Sequence, residues 1–227
     1  VVLLQNDLLI NPHFLTAMAN LTLYGTPLST YVRTVRLLLE EAGVEYDLKD
    51  INIFEGENRS PDYLCKHPFG KVPVLEANGA ILYETVAITG YLDTVVANHK
   101  FSPADPLLQA RMRQIMAIID SYLYGPAIGT IVIQRFIVPK QGGQTDEGKV
   151  ADAVAPAKTA MEAIEAITVA TPYLLGSDLS LADFHLIPIF IYLAQTPEFE
   201  SITAQTPKLR TWWNQVSQLP SVKKIGG

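Results

Sequence analysis

Three short stretches of the chain carry residue types arranged for chemistry on a small polar ligand. The first, Gly25-Thr26-Pro27-Leu28-Ser29-Thr30, leads from an apolar segment into a helically spaced one. A helix start has unpaired N–H groups and a positive dipole end, so an anion is welcome there. Ser29 has two readings: an N-cap whose hydroxyl satisfies a helix amide, or a hydroxyl donor to a bound thiolate. Tyr24 and Thr30 are the competing hydroxyls. The second stretch is Gly70-Lys71-Val72-Pro73. Pro73 suits the head of an edge strand, or a cis bond that turns Val72's backbone toward a peptide ligand, and spacing alone leaves both open. The third is Tyr83-Glu84-Thr85. Thr85 caps a helix and Glu84 favours its dipole, or together they receive a zwitterionic amino-acid head, Glu84 on the ammonium and Thr85 on the carboxylate.

The elements that must position these residues follow from periodicity. Residues 21–25 read as a strand, and 30–43 as a helix with Val32, Val35, Leu38 and Leu39 on one face. Arg33, Arg36, Glu40 and Glu41 are expected largely on the opposite face, and Gly43 ends the helix. Residues 44–53 alternate as a second strand, which in so short a span implies a parallel, right-handed crossover. Asn78-Gly79 between VPVLE and AILYE predicts an antiparallel hairpin, and helical spacing resumes from Thr85 to Val96. The first hundred residues thus read βαβ then ββα. FSPADP, residues 101–106, breaks every period and reads as a linker. Beyond it only helices are expected, over 107–138, 150–170, 181–195 and 207–218. The expected organisation is an extension over 1–20, an α/β domain over 21–100 and an all-α domain over 107–227.

Composition removes several classes of function. With 48% hydrophobic and 18% charged residues in 227, the chain is a folded globular one. A net charge of −6 and no basic block argue against a nucleic-acid partner. One cysteine, Cys65, excludes an internal disulfide and thiolate metal sites, and is expected as a buried small apolar residue. His13, His67, His99 and His185 share no ligand spacing, so no metal site is expected and all four are read as structural or solvated. No apolar run is long enough for a membrane span. The opening VVLLQNDLLINPHFLTA lacks a basic flank and contains Asp7 and Pro12, so it reads as an appended or upstream segment, with Met18 a natural start for the periodic sequence beyond it. Missing signals and low cysteine give a cytoplasmic expectation.

Taken together, LYGTPLSTYVRTVRLLLEEAG, HPFGKVPVLE, LYETVAITGYL and LLGSDLSLADFHLIP resemble the glutathione transferase superfamily, over about residues 21–225, and look most like its serine-type, phi-like branch. The resemblance implies a thioredoxin-like domain joined to an all-helical one. It implies that Ser29 stabilises a glutathione thiolate, that Val72 pairs backbone to backbone with the tripeptide's cysteine, and that Glu84 and Thr85 hold its γ-glutamyl end. Asn58 and Arg59 stand where the branch has a His-Lys pair on the glycine carboxylate, and Lys71 where glutamine is common. These departures keep the positive charge. Ser180 and Asp183 form a capping box with a folding role, and Pro73 is structural. The resemblance further implies a homodimer, no cofactor beyond glutathione as co-substrate, and a small hydrophobic electrophile bound between the domains, against Leu28, Tyr124 and Ile128.

The implied chemistry is pKa control, because a free thiol with a pKa near 8.5 is only about 3% ionised at pH 7. Lowering that value by about two units takes roughly 2.7 kcal/mol of preferential thiolate stabilisation, the order that one hydroxyl donor and a helix N-terminus supply. Two other readings use the same site: a non-catalytic glutathione- or protein-binding module, and a glutathione-dependent reductase or isomerase.

Overall fold

A computed structural model of the chain describes residues 20–226. The expected extension, Asn20 apart, and His13 lie outside the described residues. Strand β1 (Leu21–Tyr24) leads into helix α1 (Thr30–Ala42) and then β2 (Asp47–Lys49). A 3-10 turn at Glu57–Arg59 and the short α2 (Pro61–Leu64) precede β3 (Val74–Ala77), β4 (Ala80–Tyr83) and α3 (Thr85–Val95). The sheet order is β2-β1-β3-β4, parallel between β1 and β2 and antiparallel elsewhere. This is the thioredoxin-like arrangement. Asn78 and Gly79 have φ of 50° and 85°, the pair of left-handed residues that a two-residue hairpin needs to follow the strand twist. The second strand is shorter than the alternation over 44–53 predicts, because β2 pairs on one side only and the chain leaves the sheet after Lys49.

Leu21, Leu23 and Leu75 of the sheet and Val32, Val35, Leu38 and Leu39 of α1 belong to one buried core. Gly43 ends α1 with φ 67°, and its N–H bonds the Glu40 carbonyl at 3.1 Å. The opposite face of α1 is not a solvated one. Arg33 is 5% exposed, and the helical domain covers it.

That domain contains α4 (Pro106–Ile118), widened helical windings at Ile119–Leu123 and Gly125–Ile137, α5 (Val138–Lys140), α6 (Glu147–Ile167), α7 (Leu181–Leu193), α8 (Phe199–Ile202), α9 (Pro207–Val216) and α10 (Pro220–Gly226). The helix expected over 107–138 is instead bent by 50° between Leu123 and Gly125. Pro126 lacks an N–H and its ring crowds the carbonyl one turn back, so the ladder widens there, with the Tyr124 N–H reaching Ile119 O. Among the described residues no single helix is long and apolar enough to cross a membrane.

Helix α7 is the buried axis of the molecule, and Asp183 anchors its first turn. Asp183 is fully buried. Its Oδ1 accepts from the Leu174 N–H at 3.0 Å and Trp212 Nε1 at 2.8 Å, and its Oδ2 from the Ser180 N–H at 2.8 Å and Ser180 Oγ at 2.7 Å. Burial pushes its pKa up, and these four donors oppose the rise.

The two halves are pinned together near the expected linker. Phe101 is 1% exposed, its N–H bonds Asp93 Oδ1 at 2.9 Å, and its ring meets Phe184 edge-on at 4.8 Å. His185 Nε2 lies 3.3 Å from Thr89 Oγ1, across from α7 to α3. Burial pulls the His185 pKa down from 6.5 to about 3. The folded chain therefore holds a neutral ring where the unfolded chain takes up a proton, so stability falls as pH drops below 6.5 toward 3. The limiting slope is about 1.4 kcal/mol per pH unit. Urea unfolding of wild type and His185→Gln should show the stability difference between them shrinking by about 2 kcal/mol from about pH 7 to pH 5. Comparing the two chains cancels the lowered His67 and the raised Asp183. A difference independent of pH would refute the neutral buried ring.

Candidate active site

Strand register gathers the three motifs at one end of the sheet. Tyr24 pairs with Val74, and Val74 with Tyr83, so the Gly25–Ser29 turn, Val72-Pro73 and Glu84-Thr85 emerge side by side. Gly25 allows this approach: a Cβ there would sit 2.4 Å from Val32 Cγ2 and 3.3 Å from Val72 Cβ. The Val72-Pro73 peptide is cis, the alternative that spacing left open. Among the described residues no hydrogen bond engages the Val72 N–H or C=O.

Ser29 is the half-buried N-cap of α1, with φ −71° and ψ 130°, and its Oγ accepts the Val32 N–H at 3.4 Å. A cap uses an oxygen lone pair and leaves the hydroxyl proton for another acceptor, so capping and donation are compatible, and the first polarises the second. Thr30 Oγ1 is buried without a hydrogen-bond partner. Tyr24 is turned to different work. Its hydroxyl donates to Glu76 Oε2 at 2.8 Å, and that bond, with burial, raises its pKa. Lys66 completes the group, 3.9 Å from Glu76 and 5.0 Å above the Tyr24 ring.

Glu84 has φ 70° and ψ 117°, a left-handed conformation for a residue with a side chain, and is exposed beside the first turn of α3. Strain of this kind, of order 1–3 kcal/mol, gathers where function constrains the backbone. Thr85 is buried as the first residue of α3. Near Glu84, the Tyr31 hydroxyl donates to Asp120 Oδ1 at 3.2 Å, and the Tyr31 ring stacks on Tyr124 at 4.7 Å. Burial, chiefly, raises the Tyr31 pKa. Asp120 is also raised, by burial and by the Glu84 charge, against the Tyr31 hydrogen bond.

The other flank is a braced loop. Asn58 Nδ2 donates to Gly70 O at 2.7 Å, Arg59 Nη1 to Phe69 O at 3.3 Å, and Tyr63 Oη to Lys71 O at 2.8 Å. Gly70 has φ 57°, and a Cβ there would meet Asn58 O at 2.7 Å. Asn58 Nδ2 is thus engaged within the loop while its Oδ1 is buried without a hydrogen-bond partner, and Arg59 and Lys71 are exposed. Among the expected pocket residues Leu28 is 51% exposed, Tyr124 is half-buried and Ile128 lies in the core at 7%. Cys65 corrects an expectation: it is exposed, because it caps the C-terminus of α2 while Tyr63 takes the inward position. Among the described residues no group of three or more metal-ligating side chains occurs.

Sequence reasoning did not single out Tyr31, Asp120, Arg33 or Tyr192 at this mouth. Asp120 left a signal, a lone carboxylate in the apolar run IMAIIDSYLYG. The other three left none, since their neighbours are set by how the domains dock.

Comparison with known proteins agrees with this arrangement. The family model for the glutathione S-transferase N-terminal domain matches residues 19–94, and that for the C-terminal domain matches residues 113–220. Glutathione S-transferase 1 of Zea mays is 32% identical over 212 residues, covering 92% of this chain and 96% of its own. The crystal structure of glutathione transferase F7 from Populus trichocarpa superposes with a TM-score of 0.79 at 32% identity, covering 90% of this chain and 97% of its own. Maize glutathione S-transferase I, solved with an atrazine glutathione conjugate, gives a TM-score of 0.78 at 30% identity, with coverage of 92% and 97%. With both domains matched and about a third of residues identical to such relatives over nearly its whole length, the chain belongs to the glutathione S-transferase family, in its phi-like branch.

Proposed function

We propose that this chain binds glutathione at the end of the sheet and transfers it to a small hydrophobic electrophile, with Ser29 holding the sulfur as a thiolate. The observation that carries the reading is the state of Ser29: its oxygen caps α1 through a long 3.4 Å bond and its proton is uncommitted. The surroundings suit the rest of the tripeptide. The free backbone of Val72 pairs with its cysteine. Glu84 and Thr85 receive the zwitterionic γ-glutamyl end, next to Asp120. Arg59 and Lys71 face the glycine carboxylate, and Asn58 braces the loop beneath them. Leu28, Tyr124 and the nearer edge of Ile128 border the electrophile. In the reaction the thiol proton leaves to water, a sulfur lone pair forms the bond to carbon, and a leaving group such as chloride departs with its bonding electrons. The maize relative solved with a glutathione conjugate supports this chemistry. The chain works as a homodimer in the same reading.

Titration calorimetry with glutathione should give saturable heat. With 1-chloro-2,4-dinitrobenzene as second substrate, one chloride should be released per conjugate formed. No uptake of glutathione overturns the proposal. Uptake without turnover assigns the chain to the non-catalytic binding module, and oxidation of glutathione without conjugation assigns it to the reductases.

A further inference from the structure

Arg33 is the one buried cation among the described residues. It is 5% exposed, no described carboxylate pairs with it, and its Nη1 is buried without a hydrogen-bond partner. A guanidinium in such a place is costly unless an anion completes it. What does hold it belongs to the candidate site. Its backbone N–H bonds Ser29 O at 2.9 Å, one helical turn below the cap, and its Nε donates to Pro27 O at 3.0 Å. Its charge lies 4.7 Å from the centre of the Tyr192 ring, and the Tyr192 hydroxyl donates to Leu28 O at 2.6 Å. Two side chains, one from α1 and one from α7, thus grip successive carbonyls of the turn that ends at Ser29. Burial lowers the Arg33 pKa, Tyr192 opposes that and Arg36 adds to it, which is the behaviour of a cation short of negative company.

We propose that Arg33 and Tyr192 are the positioning pair of the Ser29 turn, and that the unpaired Arg33 charge has the ligand thiolate as its counter-charge. This rests on the glutathione reading of the site. Ser29 touches the sulfur, while Arg33 acts from behind it through the field and through the geometry of the turn. It also gives the helical domain a part in activating the thiol, since α7 supplies the ring and hydroxyl that seat the guanidinium. A unit charge on the order of 10 Å away, at an effective dielectric near 20, moves a pKa by about one unit.

The test is the pKa of enzyme-bound glutathione, read from thiolate absorbance near 240 nm, together with calorimetric binding of glutathione and of S-methylglutathione, which carries no thiolate. Arg33→Gln should raise the bound-thiol pKa by about one unit and leave S-methylglutathione affinity within about twofold. Arg33→Lys should restore the wild-type value to within about 0.3 unit. A merely structural role would weaken both ligands and leave the pKa in place, and that result overturns the proposal. Should Arg33→Gln fail to fold, Tyr192→Phe serves: it keeps the ring, frees Leu28 O, and should raise the bound-thiol pKa by about half a unit, an unchanged value being the refuting one. Failure of the parent reading is seen separately, as absence of glutathione uptake by the wild-type chain.

Discussion

Asp183→Ala should lower the stability of the chain by about 4 kcal/mol, measured as the urea midpoint at constant slope. The carboxylate accepts four hydrogen bonds inside the molecule, from the Leu174 N–H, Ser180 N–H, Ser180 Oγ and Trp212 Nε1. Alanine strands all four donors at once. Trp212 is 0% exposed, so its indole N–H finds no water without local opening. Each orphaned buried donor costs about 1–3 kcal/mol, and loss of the cap adds about 1 kcal/mol. The ionised carboxylate is itself disfavoured by burial, so removing it returns part of that sum. What remains is a large share of the 5–15 kcal/mol that holds a typical domain folded. Asp183→Asn should fall between wild type and alanine, because Oδ1 keeps Leu174 and Trp212 while the amide nitrogen faces the Ser180 N–H and meets only the Ser180 oxygen. A loss below about 1 kcal/mol for alanine would remove Asp183 from the role of anchor. The same helix brings His185 to α3 and Tyr192 to Leu28, so a frayed first turn in α7 should also loosen the Ser29 turn.

The parts of this architecture written in local rules were legible in advance. Asn78-Gly79 names its turn because both residues accept positive φ. Gly43 ends α1, and Ser180 with Asp183 announces the start of α7, since each works within a few residues. The three stretches that meet at the mouth were legible as motifs, but their meeting depends on the Tyr24, Val74 and Tyr83 register, which no single stretch contains. What stayed hidden has the same origin. Tyr24 looks like a candidate hydroxyl until β3 places Glu76 2.8 Å from it. Arg33 reads only as a residue opposite the apolar face of α1, and its burial follows from docking of α7. Asn58 reads as a ligand contact, and only the folded loop shows that its Nδ2 also donates to Gly70 O while its Oδ1 has no partner. The bend after Leu123 required weighing Pro126 against an apolar period that runs straight through it.

Ser29→Ala should raise the pKa of bound glutathione by about one to two units and cut kcat/KM toward an aromatic halide about 10- to 100-fold near pH 6.5. A hydrogen bond to a charged acceptor contributes about 1.5–3 kcal/mol, and one pKa unit corresponds to about 1.4 kcal/mol, so the hydroxyl accounts for most of a two-unit shift. The sign sets the pH dependence. Below the raised pKa the variant holds the protonated, inert thiol, whereas near pH 9 both proteins hold thiolate and the gap should close to within about threefold. Near pH 6.5 glutathione affinity should change by no more than about twofold, because the thiol form still binds through contacts the substitution leaves in place. The cap bond of 3.4 Å is long, so the structural cost belongs at the lower end of the usual 0.5–2 kcal/mol, and the unfolding midpoint separates it from the kinetic loss. Thr30→Val is the companion experiment. Thr30 Oγ1 is the other hydroxyl at this helix start and lacks a partner, while the Tyr24 hydroxyl donates its hydrogen bond to Glu76. Full activity in Ser29→Ala with collapse in Thr30→Val would move the thiolate contact one residue along the chain. Loss at Ser29 alone, recovered at high pH, is the pattern of a hydroxyl that works by holding sulfur in its ionised form.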